Sequence, residues 1–255
     1  MLLRPRFYTR FYIGCMGESL IGKKAVVTGA SKGIGLAIAR ALLAEQTEVV
    51  ICARQQKQLD QALGELAKTG GKATGCVADV SKAPEVAKLF EFAEETMNGL
   101  DILINNAGFG IFRPTSELTV EEWDRLIGAN LSGAFYCSRE ALARFRQPQG
   151  GWIINISSLA GKNPFAGGAA YNASKFGMNG FSEAMMLDHR KDNVRVSYIM
   201  PGSVDTGFSS GSHHAKSEWK IAPEDISDIV LTILKMPART LISRVEVRPS
   251  QPQKN

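Results

Sequence analysis

Short runs of consecutive apolar residues alternate along the chain with segments in which apolar residues recur every three or four positions. The first pattern predicts a buried strand and the second a helix with one apolar face. Strands are predicted at 25–27, 49–53, 72–77, 101–105, 152–156, 194–200 and 241–247. Helices are predicted after a glycine-rich turn at 29–35, over 59–66, 83–97, 120–145 and 223–235, and from about residue 171 onward.

This alternation predicts the fold class. Strand–helix–strand units at this spacing build an α/β fold, a doubly wound parallel sheet of about seven strands with helices on both faces. A single domain over 20–248 accommodates them, because no linker or internal repeat interrupts the pattern. Residues 1–19 are expected to form an extension outside the fold, and 249–255 a polar tail. Ligands of such sheets bind outside the carboxyl ends of the strands.

Composition narrows the functional class. Of the 255 residues, 44% are hydrophobic and 22% are charged, which suits one sizeable core. The formal net charge of +5 is modest and no basic run is interleaved with aromatic residues, so no nucleic-acid partner is expected. Residues 1–19 contain no apolar run long enough for a secretory signal or a membrane span, and no membrane partner is expected.

The cysteines and histidines carry no metal signature. Cys15, Cys52, Cys76 and Cys137 are widely spread without a C-x-x-C pair, which predicts reduced thiols in a cytoplasmic protein. The adjacent His213 and His214 lie in a polar segment and are interpreted as solvated, so no metal site is predicted. The basic and aromatic residues 1–19 leave two alternatives open: a weak organelle-targeting segment, or an upstream start with Met16 as a second initiator.

A glycine-rich turn follows the first predicted strand. Its spacing, Gly29-x-x-x-Gly33-x-Gly35, matches neither the G-x-G-x-x-G fingerprint nor the phosphate loop. Glycines let the backbone turn tightly and approach a ligand, while free amides at the start of the next helix attract phosphate. The turn therefore indicates a nucleotide site, with a plain strand-to-helix connection as the alternative.

The end of the second strand bears on cofactor choice. NAD sites usually place an acidic residue here for the ribose 2′-hydroxyl, whereas NADP sites place a cation for the 2′-phosphate. Here Ala53 is followed by Arg54, and Lys32 lies in the glycine turn. Two cations that converge on one phosphate favour NADP(H) over NAD(H). Solvated surface charges are the alternative.

Candidate proton-transfer groups lie between residues 158 and 175. If Tyr171 opens a helix, Lys175 lies one turn further along the same face. An ammonium there would lower a phenol pKa of about 10 toward working pH, as a general acid/base requires. Taken alone, the spacing is equally compatible with a half-buried ring beside a solvated lysine.

In combination, these segments resemble the short-chain dehydrogenase/reductase family, in its single-domain branch. The resemblance covers about 20–247 and rests on motifs that occur in a fixed order. They are Thr28-Gly29-x-x-x-Gly33-Ile34-Gly35, Asp79-Val80, Asn105-Asn106-Ala107-Gly108, Asn130, Ser158, Tyr171-x-x-x-Lys175 and Pro201-Gly202-x-Val204-x-Thr206. The set implies a Rossmann-like fold similar to that of 3-oxoacyl carrier-protein reductases.

The resemblance implies roles for four catalytic residues. Tyr171 would be the general acid/base and Ser158 would orient the substrate oxygen. Lys175 would lower the tyrosine pKa and bind the nicotinamide ribose, and Asn130 would position a water in a proton relay. The structural alternatives are a capping serine, an ordinary aromatic residue, a surface lysine and an asparagine that kinks its helix.

The resemblance also implies the cofactor contacts. Asp79 and Val80 would lie near adenine, although Asp79 beside a helix cap at Ser81 is an alternative. Asn106, Ala107 and Gly108 would line the adenosine, and Val204 and Thr206 the nicotinamide carboxamide. The full predicted set is Gly29, Ser31, Lys32, Gly33, Ile34, Gly35, Arg54, Asp79, Val80, Asn106, Ala107, Gly108, Tyr171, Lys175, Pro201, Gly202, Val204 and Thr206.

The implied activity is hydride transfer between NADP(H) and a ketone, an aldehyde or a secondary alcohol. Apolar loop residues suggest a hydrophobic carbonyl substrate: Phe109, Gly110, Ile111, Phe112, Phe165 and Phe208. Phe176, Phe181, Met185 and Met186 would serve the contact of a homodimer or homotetramer, with core packing as the alternative. A dinucleotide-binding regulatory protein without turnover is the alternative function.

Overall fold

The computed structural model describes residues 17–146, 149–206 and 218–251, and within them seven strands alternate with seven α-helices. The strands are β1 (Lys24–Thr28), β2 (Glu48–Ala53), β3 (Ala73–Val77), β4 (Ile102–Asn105), β5 (Gly151–Ile156), β6 (Val194–Pro201) and β7 (Arg244–Val247). The helices are α1 (Gly33–Ala44), α2 (Gln56–Leu66), α3 (Ala83–Met97), α4 (Val120–Ile127), α5 (Gly133–Arg144), α6 (Ala169–His189) and α7 (Pro223–Leu234).

All seven strands pair in parallel in the order β3-β2-β1-β4-β5-β6-β7, which confirms the predicted fold class. The chain builds outward from β1 to β3 and then returns to β4 on the other side of β1. The connections that leave β1 and β4 therefore run in opposite directions, which opens a crevice at their carboxyl ends. This crevice is where the glycine turn and the motif that follows β4 meet.

The sheet is covered on both faces, and each face has its own apolar cluster. One cluster joins the sheet to α1, α2 and α7 through residues such as Ile38, Leu59 and Val230. The other joins it to α3, α5 and α6 through residues such as Phe90 and Met185. Because helices cover both faces of the sheet, both sets of side chains on the central strands are buried. These strands are therefore continuous apolar runs in the sequence and show no alternation of apolar and polar residues.

The predicted helix over 120–145 is helical from 120 to 144, but a π-helical turn divides it into two α-helices. Helix α4 starts in a capping box, in which the Thr119 hydroxyl accepts from the Glu122 amide and the Glu122 carboxylate accepts from the Thr119 amide. A π-helical turn at Gly128–Ser132 then separates α4 from α5. Such turns interrupt the regular hydrogen-bond ladder, and they occur frequently at functional sites. The turn contains Asn130.

Residues 18 and 20, at the predicted amino-terminal boundary, contact the rest of the domain. Glu18 donates its backbone amide to the Lys235 carbonyl at 3.0 Å, and its carboxylate pairs with Arg195 at 2.9 Å. Leu20 is fully buried. The described end of the predicted extension is thus attached to the domain. Residues 1–16, including Cys15, and the predicted residues Phe208, His213 and His214 lie outside the described residues.

Helices α5 and α6 expose large apolar side chains on their outer surfaces. Of the four residues predicted for an oligomer contact, Met185 is buried and Phe181 and Met186 pack against the core, whereas Phe176 is 45% exposed. Phe135 on α5 and Leu187 on α6 are also exposed. Within the described ranges, no helix is both long enough and apolar enough to cross a bilayer.

Candidate active site

A cleft of about 440 Å³ opens at the carboxyl ends of the strands, in the crevice between the connections of β1 and β4. All of the predicted catalytic and cofactor-binding residues except Gly35 and Asn130 line it. The predicted residues that line it are Gly29, Ser31, Lys32, Gly33, Ile34, Arg54, Asp79, Val80, Asn106, Ala107, Gly108, Ser158, Tyr171, Lys175, Pro201, Gly202, Val204 and Thr206.

The glycine turn is shaped by close backbone contacts. Gly29 has φ +63°, and a Cβ there would lie 2.7 Å from the Ala107 Cα. A Cβ on Gly35 would lie 2.4 Å from the Asn106 side-chain nitrogen. No side chain caps the start of α1 and no acidic residue occupies its first turn, so its free amides face the cleft. The turn therefore suits the phosphates of a dinucleotide.

Thr28 and Asn106 join this turn to the connection after β4. The Thr28 hydroxyl accepts from the amides of Asn106 at 3.0 Å and Ala107 at 3.1 Å, and it donates to the Ile104 carbonyl. The Asn106 side chain donates to the carbonyls of Thr28 and Gly29, both at 3.0 Å. Sequence reasoning assigned Thr28 no role, because a threonine at the end of a strand gives no signal of its distant partners.

Two cations lie at the end of the cleft nearest β2. Lys32 and Arg54 are both exposed and both line the cavity. The Arg54 guanidinium lies 5.9 Å from the centre of the Phe109 ring. Arg125, which sequence reasoning did not single out, lies 5.7 Å from the same ring. The cleft therefore offers positive charge where the residue after β2 would meet a ribose phosphate.

Asp79 is tied to its own neighbours. Its carboxylate accepts from the Ser81 hydroxyl at 2.8 Å and from the Ser81 amide at 3.0 Å. Burial raises its pKa, but these two hydrogen bonds and the charges of Arg54 and Lys82 outweigh burial and hold the pKa below its ordinary value. Asp79 thus hydrogen-bonds Ser81, as the structural alternative predicted. The residue that caps α3, however, is Lys82 and not Ser81. Asp79 still lines the cleft.

Ser158 and Tyr171 meet at the other end of the cleft. The Ser158 hydroxyl accepts from the Ala160 amide at 3.1 Å, as a capping serine does, and it also hydrogen-bonds Tyr171. Because the amide occupies a lone pair of the serine oxygen, the hydroxyl can donate its proton to the Tyr171 oxygen. Tyr171 is buried in a small cluster with Leu126, Ala160 and Ala170.

The predicted lowering of the Tyr171 pKa by Lys175 is not seen. Burial raises the pKa of Tyr171, and the hydrogen bond from Ser158 lowers it by less. The Lys175 ammonium lies 5.8 Å from the centre of the tyrosine ring and donates to the Ile156 carbonyl at 2.9 Å. The prediction from spacing took account only of the lysine charge. In the structure, loss of hydration of the buried phenol has the larger effect on its pKa and raises it.

Lys175 is a buried cation, which also overturns the alternative of a surface lysine. Burial lowers its pKa from 10.5 to about 8, because the charged form loses its hydration. Its position at the cleft is set by α6, which Ser157 and Asn179 fasten to the loop after β5. Sequence reasoning missed both residues, because serine and asparagine are common in loops and on helix surfaces.

Asn130 uses its whole amide group in fixed contacts. Its oxygen accepts from the Phe109 amide at 3.0 Å, and its nitrogen donates to the Phe109 carbonyl at 2.9 Å and to the Ser174 hydroxyl at 3.2 Å. It is fully buried. The π-helical turn thus links the loop after β4 to the residue that precedes Lys175.

The loops around Tyr171 bring several of the predicted substrate residues together. Phe112 and Phe165 lie near the tyrosine ring, while Phe109 and Ile111 pack against the cluster beneath it. Gln58 and Lys220 line the cleft without having been predicted. Both are ordinary polar residues in sequence, and only the fold brings them to the cavity.

Comparison with known proteins gives the family. The family model described as short chain dehydrogenase matches residues 23–217. An uncharacterized oxidoreductase of Staphylococcus aureus (strain MRSA252) is 34% identical over 230 residues, which are 90% of this chain and 98% of that protein.

Solved structures of similar proteins point to the same family. A metagenomic short-chain oxidoreductase in complex with NADP is 38% identical, with a TM-score of 0.81 over 92% of this chain and 100% of that one. A variant of actinorhodin polyketide ketoreductase with NADPH is 29% identical, with a TM-score of 0.80 over 92% of this chain and 98% of that one. The fold, the cleft and these matches together show that the chain belongs to the short-chain dehydrogenase family of oxidoreductases.

Proposed function

We propose that this protein is an NADP(H)-dependent oxidoreductase that reduces a ketone or an aldehyde, or oxidises the corresponding alcohol. The observation that carries the proposal is one continuous cleft with two chemically distinct ends. At one end lie uncapped helix amides with Lys32 and Arg54, and at the other lie Ser158, Tyr171 and Lys175. The dinucleotide would lie between them, with its nicotinamide toward Tyr171.

In this proposal the protein positions the carbonyl and supplies the proton. Bound reduced nicotinamide supplies the hydride to the carbonyl carbon. Ser158 donates a hydrogen bond to the carbonyl oxygen, and Tyr171 transfers its hydroxyl proton to that oxygen. The raised pKa of Tyr171 keeps the phenol protonated near neutral pH, which is the form that reduction needs. Lys175 binds the ribose, and Asn130 holds the helix and loop around it.

NADP(H) preference is the finer part of the proposal. Support comes from Ala53 where NAD sites carry an acid, from the exposed Arg54 and Lys32, and from the NADP and NADPH held by the two solved relatives. A 2′-phosphate would form charge-assisted hydrogen bonds with these cations.

Arg54→Ala tests that preference. We expect the variant to weaken NADPH binding roughly ten- to a hundredfold, because a hydrogen bond to a charged group is lost. NADH binding should change little. Dissociation constants for both cofactors, measured by titration calorimetry, give the comparison. Arg125→Ala is the matched control, since its guanidinium contacts the same Phe109 ring but does not line the cleft. An equal loss for both cofactors would contradict the phosphate assignment.

We also propose that the outer surfaces of α5 and α6 form a homo-oligomer contact. Phe135, Phe176 and Leu187 expose large apolar side chains there, which is costly on a monomer surface. We expect Phe176→Arg to shift the protein to a smaller assembly in light scattering coupled to size-exclusion chromatography. Ile21→Arg, at an exposed apolar residue before β1, should leave the mass unchanged. Equal masses for wild type and Phe176→Arg would argue against this surface.

A further inference from the structure

Two phenylalanine rings continue the aromatic surface of Tyr171 beyond the lining of the cleft. The Phe112 ring meets the Tyr171 ring edge to face, with centroids 5.5 Å apart and planes at 79°. The Phe165 ring lies 5.7 Å from Phe112 at 53°. These distances and angles are those that aromatic pairs prefer. We call Phe112 and Phe165 the aromatic wall.

The aromatic wall is only half covered. Phe112 is 44% exposed and Phe165 is 46% exposed, whereas Tyr171 beneath them is buried. Adjacent exposed rings leave apolar surface in water beside the Tyr171 ring. A ligand that covers these rings would gain both apolar burial and ring-to-ring contact.

The loops that carry the aromatic wall are tied to each other and to the helices. The Arg113 amide, next to Phe112, donates to the Gly167 carbonyl at 2.8 Å. The Phe165 carbonyl accepts from the Gly168 amide at 3.1 Å, and α6 begins directly afterwards. The wall is therefore formed before a substrate binds, which reduces the ordering cost of binding.

Both cations on these loops are already paired with carboxylates. Arg113 pairs with Glu122 at 3.0 Å, and Glu122 is itself part of the capping box of α4. Lys162, on the loop of Phe165, pairs with Glu246. A substrate carboxylate beside the aromatic wall would have to displace one of these partners to pair with either cation, so the wall disfavours carboxylate substrates.

We propose that the aromatic wall selects uncharged carbonyl compounds that carry an aryl group next to the carbonyl, with Phe112 as the main specificity-determining residue. This inference rests on the proposed reductase function, because it takes Tyr171 as the group that meets the carbonyl oxygen. The aryl ring would pack against Phe112 and Phe165 while the oxygen reaches Tyr171 and Ser158.

The test compares four carbonyl compounds by the rate at which each supports NADPH oxidation. Acetophenone and cyclohexyl methyl ketone differ only in whether the ring is aromatic, benzoylformate adds a carboxylate, and a 3-oxobutanoyl thioester offers an aliphatic chain. We expect kcat/KM for acetophenone to exceed that for the cyclohexyl ketone by about tenfold, chiefly through KM, because ring contacts are lost with the saturated ring. Benzoylformate and the thioester should be poorer still. Equal use of both ketones, or preference for either of the other two substrates, would overturn the inference.

Phe112→Leu separates aromatic contact from apolar volume. We expect it to abolish the preference for acetophenone while the cyclohexyl ketone is used as before. Phe135→Leu is the matched control, since Phe135 is 47% exposed and contacts the Tyr136 and Phe181 rings on α5 and α6, whereas Phe112 contacts the Tyr171 ring. An unchanged preference in Phe112→Leu, or the same loss in Phe135→Leu, would overturn the assignment.

Failure of the proposed function would look different. In that case none of the four carbonyl compounds would oxidise NADPH, and binding would be read by saturation-transfer NMR of acetophenone in the presence of NADPH. Acetophenone binding that is lost in Phe112→Leu and kept in Phe135→Leu would support the aromatic wall without the reductase activity. Absence of acetophenone binding to the wild-type protein would overturn the aromatic wall as well.

Discussion

Tyr171→Phe is expected to lower kcat for carbonyl reduction by roughly a hundredfold to ten-thousandfold, the usual contribution of a positioned general acid. The substitution removes one hydroxyl from a buried ring and keeps the ring's contacts with Leu126 and Phe112. NADPH affinity and thermal stability should therefore change little. Steady-state kinetics with an active ketone and a thermal melt give the two readouts.

The matched control for this variant is Tyr136→Phe. Tyr136 is a half-buried tyrosine on α5 that does not line the cleft, so loss of its hydroxyl should leave kcat within about twofold of wild type. Equal turnover by Tyr171→Phe and wild type would exclude the proposed proton transfer. A fall in kcat accompanied by a collapsed melt would instead assign a structural role to the hydroxyl.

Lys175→Met is expected to abolish most of the activity while it stabilises the fold near neutral pH. Burial lowers the pKa of Lys175 from 10.5 to about 8, which corresponds to an unfavourable contribution of about 3 kcal/mol to folding while the lysine is charged. Methionine has similar length and carries no charge. The variant also loses the hydrogen bond from Lys175 to the Ile156 carbonyl, which lowers its free energy of unfolding by roughly 1 kcal/mol. The net increase in the free energy of unfolding at pH 7 should thus be of order 2 kcal/mol.

The pH dependence of this difference gives a sharper check. Between pH 8 and pH 10.5, the unfolded wild-type chain binds a proton at Lys175 that the folded protein has released, so wild-type stability gains from rising pH. Methionine has no such gain. The stability advantage of Lys175→Met should therefore be full below pH 8 and shrink as pH rises toward 10.5. Urea unfolding of both proteins at pH 7 and pH 9.5 measures it, and an advantage that grows with pH would contradict the buried charged lysine.

Periodicity predicted the sheet well because its strands are buried on both faces. Ile102, Ile153 and their neighbours form apolar runs too short for helices, and the interposed helices show apolar faces that pack on the sheet. The order of the strands could not come from periodicity. The pattern shows where strands lie along the chain but not which strands pair, and the structure supplies that order.

Contacts between distant segments were beyond sequence reasoning. Residue 130 was singled out, but the π-helical turn around it was not, because the sequence 120–145 has no proline and keeps a helical pattern. The Tyr171 pKa was predicted from one neighbouring charge, whereas burial by loops far apart in sequence decides its direction. Likewise Arg54 and Arg125 are 71 positions apart and meet only at Phe109.

The hydrogen bonds between Thr28 and Asn106 have a thermodynamic consequence for ligand association. They lock the glycine turn and the connection after β4 into one arrangement in the ligand-free protein. A dinucleotide would then enter a preorganised cradle, and no minor conformer would have to be populated first. Its intrinsic and apparent affinities should be nearly the same.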